Sequence, residues 1–536
     1  MKHFKVTHLY NSTTAAGQLY SVFFEIINLF KGWQLKTIKS LLFILFIPFI
    51  LGCKKSDSTS NNSNNNNGNG NTTGVITVTT QPVTNIKIIS AVANGKVEAD
   101  IAKTTITAKG VVWSTSQNPV ISLATKTEES ATPEAFQSQI SDLQYSTTYY
   151  LRAYAIDNKG NTVYGNEVSF TTNAGWRTVS AGTFFSVGIK TDGTLWAWGD
   201  NTLGQLGDGS TVLRSTPFQI GTDTNWKEAA VGGYNSENSG SLQGPYILAI
   251  KKDGTLWGWG SNKLGQLADG TYLSRYVPTR IGTNTNWTAI APGTGLTVGL
   301  QADGTVSKWG FFDVTIASNY INSPLVETTI SQVSKISSGF LHYLLIKADG
   351  TLWGYGYNYS GQLGDGTSMN NTTQKLKKIG TSSDWVKINC GNSSSFGIKA
   401  DGSLWAWGSN GGTLGDGSNA DRYIPTQISS ATKVTDVSSS RGLGSGQTLI
   451  LKSDGTLWGT GNGTQGQLGD GTQGQRFSFA QIGNVNTWVA IATGTSYSLA
   501  IQKNGSLWSS GQNIRGSLGL GENVDGEIKP TFTLVE

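Results

Sequence analysis

Hydrophobic and polar positions change pattern four times along the chain. Residues 41–51 read L-L-F-I-L-F-I-P-F-I-L, an apolar run. Residues 54–73 are almost wholly polar, K-K-S-D-S-T-S-N-N-S-N-N-N-N-G-N-G-N-T-T. Residues 74–173 hold short runs in which apolar and polar positions alternate, at 75–78, 87–90, 110–113 and 147–155. Period-two alternation bounded by turn residues predicts strands. From 174 onward the alternation itself recurs as a unit. Asp192-Gly193-Thr194-Leu195-Trp196-Ala197-Trp198-Gly199 returns from Asp253, Asp303, Asp349, Asp401 and Asp454, and from Asn504 as N-G-S-L-W. The mean period is 52 residues, and seven copies fill residues 174–536.

Each copy predicts the same parts. An opening run such as 176–179 leads to a Gly. An apolar strand follows (186–190), then an Asp-Gly turn and a partner strand (194–198). A Gly-rich loop comes next (201–209), and an outer strand ends the unit (217–221). Asp-Gly between strands predicts the primed hairpin turn that matches strand twist. Trp196 and Trp198 share one strand face, with Leu195 and Ala197 on the other. Both faces are apolar, so this strand is expected to be covered on both sides. Four short antiparallel strands per unit, each sheet covered by its neighbours, describe a propeller blade, and seven would close a ring.

Composition narrows the function classes. The chain has 536 residues with 69 Gly and 17 Trp, but 3 His, 2 Cys and 2 Met. No Gly-X-Y period runs, so collagen is excluded. Cys53 and Cys390 are too few for a disulfide scaffold, and so few His and Cys disfavour a zinc enzyme. Net charge is +5, of which +4 lies in residues 1–52. The remainder is near neutral and offers no electrostatic footprint for nucleic acid.

The repeat resembles that of the regulator of chromosome condensation family. The string W-G-x-N-x-x-G-Q-L-G-D-G carries the resemblance. It stands nearly complete in copies 1, 2, 4 and 6, with Ala268 replacing a Gly in copy 2 and Gly463 following Asn462 in copy 6. The resemblance implies an all-β fold, a seven-bladed β-propeller over 174–536. That family often places His in its second strand; Phe185, Leu296 and Tyr497 stand near the position and only His342 keeps it. Copy 3 diverges most, since Trp309-Gly310 is followed by Phe311-Phe312-Asp313-Val314. Copy 2 has a longer loop, 21 residues from Gly232 to Asp253 against 10 from Gly182 to Asp192.

Two further resemblances lie upstream. Ile50-Leu51-Gly52-Cys53 after the apolar run, with Lys36 and Lys39 before it, resembles a bacterial lipobox. It implies a signal peptide over 1–52, acylation of Cys53 and a lipid anchor in the cell envelope, in the outer membrane. The stretch before Lys36 is long for an n-region, so translation is expected to start downstream, near Leu35 or Ile38. Residues 53–73 then form a flexible tether reaching roughly 25 Å. The pattern Leu143-x-Tyr145-x-Thr147-x-Tyr149-x-Leu151-Arg152-Ala153 resembles the penultimate strand of a fibronectin type III domain, with residues 168–172 as the last strand. It implies a small β-sandwich over 74–173, with Tyr145 as the corner tyrosine. Trp113 is expected in its core.

Candidate chemistry is sparse. Fifteen Trp lie in 174–536 and all occupy repeat positions, so core packing accounts for them. Twelve Asp are followed by Gly, which turn chemistry accounts for. No D-x-D-x-D-G loop appears, so no calcium is expected. Residues 461–466 match G-x-G-x-x-G but open a turn-rich loop rather than a helix, against a dinucleotide site. His342 is expected to be structural and Cys390 a buried free thiol. No catalytic residue, metal or cofactor is assigned, and the chain is read as a non-enzyme.

The function expected is a secreted, lipid-anchored binding protein, with a monomeric propeller presenting loops to a protein or glycan of the envelope. The candidate surface is the copy 2 loop with the copy 3 segment: Tyr234, Asn235, Glu237, Tyr246, Phe311 and Phe312. An inhibitor of a secreted hydrolase and a polysaccharide-binding surface protein stay open as alternatives. Nucleotide exchange on a GTPase, the role of the family's namesake, is disfavoured by the export signal.

Overall fold

The computed structural model describes residues 75–234, 244–311, 320–368, 375–442, 446–521 and 526–535. The signal segment, Cys53 and the tether lie outside them. Nearly all regular structure among the described residues is strand, and no helix there is long and apolar enough to cross a membrane.

Residues 76–171 form a sandwich of two antiparallel sheets. Ile76–Thr84, Ala91–Ala99 and Ala135–Ile140 make one. Ile106–Ser114 and Thr148–Asp157 make the other, and Thr162–Tyr164 and Val168–Thr171 both pair with Thr148–Asp157. Val78, Ala93, Val111, Trp113, Leu151 and Phe170 fill the space between them.

Two expectations need correction here. Residues 87–90 are not a strand; Lys87 N–H donates to Ser90 O across a bend. Ile88 leaves the sandwich and packs against the propeller beside Trp176 and Val535, so its apolar character serves another core. The tyrosine whose hydroxyl reaches back to the backbone is Tyr149, which accepts the Gln144 N–H at 2.9 Å. Tyr145 lies instead against Gly175 and Gly505, where the chain enters blade 1 and where blade 7 turns.

Seven four-stranded antiparallel sheets follow, each built from consecutive strands. Blade 1 is Trp176–Ala181, Phe185–Lys190, Leu195–Gly199 and Arg214–Gln219. Blade 7 is Trp488–Thr493, Tyr497–Gln502, Leu507–Asn513 and Glu527–Val535. The first strands of neighbouring blades touch all around the ring, the seventh against the first. First strands therefore line a central channel. The ring closes by side chains, with no strand exchanged between its ends.

The hairpin turn differs from the primed form. Gly193 N–H donates to Lys190 O and Lys190 N–H to Thr194 O, a three-residue loop. Only Gly193 in it has positive φ, at 84°. This is a type I turn followed by a glycine bulge. Asp192 stabilises it from the side: its Oδ1 accepts Thr194 N–H at 3.0 Å and Thr194 Oγ1–H at 2.7 Å.

The paired Trp residues have separate roles. Trp198, Trp259, Trp309 and Trp407 are fully buried between blades. Trp198 Nε1–H donates to Ser517 O of blade 7 at 3.0 Å, and Trp309 Nε1–H to Gln266 O of blade 2 at 2.9 Å. Trp407 Nε1–H donates likewise to Gln362 O of blade 4 at 3.0 Å, whereas Trp259 Nε1 makes no hydrogen bond. Trp196, Trp257, Trp405 and Trp458 are only half-buried. A lysine ammonium covers each ring, at 3.9 Å for Lys190 on Trp196 and 3.6 Å for Lys452 on Trp458.

Candidate functional site

In every blade, the links between strands one and two and between three and four rise on one side of the ring, the loop face. The Asp-Gly turns and the blade-to-blade links lie on the opposite, turn face. The sandwich meets the propeller on the turn face, through Tyr145 at Gly505 and through a crevice of about 210 Å³ walled by Ile88, Trp196, Pro217 and Leu534. Among the described residues, the sandwich leaves the loop face uncovered.

The repeat's polar residues are occupied by the frame. Asn201 Nδ2–H donates to Asp208 Oδ1 at 3.0 Å, and Asn201 Oδ1 accepts Leu206 N–H at 3.0 Å. Arg214 grips the other oxygen of Asp208 at 2.6 and 3.0 Å. Burial pushes the Asp208 carboxyl up, but hydrogen bonds from Arg214, Ser210 and Asn201 outweigh it and hold the group below the usual range. The same device recurs as Asn262–Asp269–Arg275 and Asn410–Asp416–Arg422. A lysine, Lys377, replaces the arginine opposite Asp365.

Of the six predicted surface residues, Asn235, Glu237 and Phe312 lie outside the described residues. Tyr234 is half-buried at the edge of the blade 2 loop. Phe311 ends the third strand of blade 3 and faces Tyr320, ring centres 5.6 Å apart. Tyr246 is corrected: it is fully buried, opening the second strand of blade 2. Its hydroxyl meets Thr297 Oγ1 at 2.8 Å and Gly293 O at 3.1 Å, pinning blade 2 to blade 3. Spacing carried the signal, because Tyr246 stands seven residues before Asp253 as Phe185 does before Asp192. The long insertion ends before it.

His342 occupies that same position in blade 4. Its Nε2 lies 3.0 Å from Ser395 Oγ, which donates its own proton to Gln362 O at 2.7 Å. The imidazole is therefore a donor to the serine, the reverse of a hydrolase pair. Burial drives its pKa down to about 3. Cys390 is free and sealed, its thiol pushed up to about 12 by burial. Among the described residues no cluster of His, Cys, Asp and Glu could hold a metal.

The loop face does carry blade-specific groups. A groove of about 460 Å³ crosses blades 4 to 6, walled by Phe340, Tyr357, Asn392, Ser393, Asn410 and Thr413. No wall residue is charged. Tyr359, 61% exposed, sets its ring edge-on to Tyr357 at 4.8 Å. Sequence reasoning missed these. The position after the Gly near the end of each third strand is Asp200, Ser261, Ser409, Asn462 and Gln512 in five blades, but Phe311 and Tyr357 in adjacent blades 3 and 4. An aromatic breaking a polar repeat position was the available sign.

Comparison with known proteins agrees with this architecture. Residues 176–205, 192–236, 253–300, 333–362, 349–398, 385–412 and 401–443 match the Regulator of chromosome condensation (RCC1) repeat. Ultraviolet-B receptor UVR8 of Arabidopsis thaliana is 26% identical over 262 residues, 47% of this chain and 57% of the relative. The mitochondrial RCC1 domain-containing protein RUG3 of the same plant is 26% identical over 303 residues, 53% of this chain and 64% of the relative. The chain thus spans less than two thirds of the length of these curated relatives. Among solved structures, human WBSCR16 aligns with a TM-score of 0.55 at 21% identity, over 64% of this chain and 94% of that one. Prp20p of Saccharomyces cerevisiae, a structure described together with its binding to Gsp1p and histones, aligns at 0.54 and 18% identity, over 68% and 87%. At such identity these structures show the fold alone. The chain carries Regulator of chromosome condensation repeats, folded into a seven-bladed β-propeller.

Proposed function

We propose that this protein is a lipid-anchored binding protein of the bacterial cell envelope that recognises a protein partner through the loop face of its propeller. One observation carries the reading. The residues that define the repeat are engaged inside the frame, whereas the described part of the loop face carries groups that differ from blade to blade. A rigid ring presenting varied loops is a recognition scaffold. Proteins with the same repeat include a receptor and a binder of Gsp1p and histones, in keeping with a binding role. The lipobox supports envelope anchoring. The uncharged groove of Phe340, Tyr357 and Asn392 favours a second reading, an uncharged glycan, since aromatic rings with amides and hydroxyls suit a polyhydroxylated ligand.

Site-specific photo-cross-linking in intact cells tests the reading. A photoreactive residue at Tyr359 should yield a discrete adduct, and one at Val485, in a blade-to-blade link on the turn face, should not. Adducts from Val485 alone, or none from Tyr359, would reject the loop face.

A further inference from the structure

The groove of about 460 Å³ on the loop face is shaped by departures from the repeat that fall together on blades 4 and 5. The first is Phe340. The equivalent position in the link between strands one and two is Thr183, Gly233, Thr294, Asn392, Arg441 or Thr495 in the other blades. The second is Tyr357, an aromatic where five blades carry a polar residue. The third is the loop of blade 5. Asn410 reaches Asp416 across six residues, where Asn201 reaches Asp208 and Asn358 reaches Asp365 across seven. Gly411 and Gly412 follow Asn410, where Thr202 and Leu203 follow Asn201. The loop is a residue short and sets no side chain over the groove at those two positions. Its clamp is nonetheless intact. Asn410 Nδ2–H donates to Asp416 Oδ1 at 3.0 Å, and Arg422 grips Asp416 at 2.6 Å. The frame needs none of the three departures, and what they share is the groove.

The two sides of the groove differ in chemistry. Phe340 and Tyr357 stand half-buried on the blade 4 side, and Tyr359 fixes the Tyr357 ring edge-on at 4.8 Å. Ser393 and Ser409 of blade 5 are half-buried in the wall as well. Hydrogen bonds tie three blades together there. Phe340 N–H donates to Asn392 O at 3.0 Å, Asn392 N–H to Ser440 O at 3.1 Å, and Asn392 Nδ2–H to Gly442 O at 2.8 Å. A wall already ordered costs less to occupy. None of the described wall residues carries a charge.

We propose that this groove holds an interior stretch of a neutral pyranose chain. The Tyr357 ring is the platform for the C–H face of one sugar, and Ser393, Ser409 and Asn392 hydrogen-bond the hydroxyls. The negative face of an aromatic ring attracts the weakly positive C–H groups of a pyranose. Hydroxyls and amides replace the water that the sugar gives up. A groove crossing three blades suits a chain better than a single ring. A charged polymer would lose solvation against walls that offer it no opposite charge. The inference deepens the second of the two readings above and rests on it, naming the class of ligand and the residues that take it.

The probes are hexasaccharides of β-1,4-linked glucose, β-1,3-linked glucose and β-1,4-linked mannose, titrated calorimetrically into the full chain. The controls are free glucose and mannose, and a galacturonate hexamer as the charged chain. Saturable binding of at least one neutral hexamer is expected, at least tenfold tighter than its monosaccharide and than the galacturonate. Tyr357→Ala should weaken it at least tenfold. Ser409→Tyr acts from the other wall: it fills the groove and should abolish binding. Tyr357 holds the same repeat position in blade 4, so the frame accepts that residue, and an unchanged unfolding temperature checks it. If Ser409→Tyr does not fold, Tyr357→Ala decides. No binding of any neutral hexamer overturns the inference. So does equal binding of the monosaccharide or the galacturonate, or unchanged affinity in the folded variants. A discrete protein adduct from Tyr359 without saccharide binding assigns the groove to a protein and leaves the loop-face reading standing. Saccharide binding without such an adduct rejects the protein partner and leaves the sugar site standing.

Discussion

At the scale of single residues, the polar side chains that look most chemical are structural. Asp208 and its equivalents hold loops, and His342 pins blade 4 to blade 5 through Ser395. Glu228 is different. It lies on the first strand of blade 2, accepts Ile290 N–H from blade 3 at 3.3 Å, and forms no ion pair among the described residues. Burial raises its pKa from 4.5 to about 7, against smaller opposing effects of that hydrogen bond and of Lys227. The consequence for stability has a definite sign. Below about pH 4.5 the carboxyl is protonated in both states. Between there and about pH 7 the unfolded chain releases a proton that the folded one keeps, so stability falls as pH rises. Above that both are ionised and the loss levels off. Glu228→Gln should remove this slope, gaining on the order of 1–3 kcal/mol over the wild type at pH 8 and little at pH 4. Urea unfolding at the two values measures it; equal differences at both would reject the assignment.

At the scale of elements, the Asp-Gly hairpin was legible and its turn type was not. The dipeptide suits a primed two-residue turn and a type I turn with a glycine bulge equally. Pairing register chose the second, because Lys190 bonds Thr194 across three residues. Gly193 is demanding on two counts: φ is 84°, and an added Cβ would meet Thr224 O of the adjoining link at 2.0 Å. Gly221 has a similar φ of 64° but open space around it. Gly193→Ala should therefore cost about 2–4 kcal/mol, and Gly221→Ala only about 1 kcal/mol. Thermal unfolding of the two variants checks this; equal losses would show that backbone conformation alone matters there. The mistaken strand at 87–90 has a similar origin. Alternation reports that Ile88 is covered, and does not say by which domain.

At the scale of the whole molecule, blades are joined through the first residue of each second strand. Tyr497 of blade 7 sends its hydroxyl to Phe185 O at 2.7 Å and meets Ser186 Oγ at 2.8 Å, which closes the ring onto blade 1. Arg515 adds an ion pair to Asp200 across the same seam, at 2.9 Å. Tyr497→Phe should cost about 1–2 kcal/mol, since it leaves buried partners unpaired. Tyr343 is equally buried, but its hydroxyl makes no hydrogen bond. Tyr343→Phe should be neutral or stabilising. Denaturant midpoints for the pair decide it; equal effects would mean that the closing hydroxyl contributes nothing. The sandwich joins this seam as well, since Ile88 and Tyr145 pack where blades 7 and 1 meet.

The sequence alone determined the strand repeat, the number of blades and the covered Trp-bearing strand. Periodicity and turn chemistry are local properties, and seven copies state them redundantly. Tertiary structure alone decided which residues face one another across blades. That is why Tyr246, read as a loop residue, is a buried pin, and why the hydroxyl that reaches back to the backbone belongs to Tyr149 and not to Tyr145. It also brought Arg441 to within hydrogen-bonding distance of carbonyls 149 and 210 residues away. Such contacts arise from closing a ring, and closure places side by side residues that no sequence window contains.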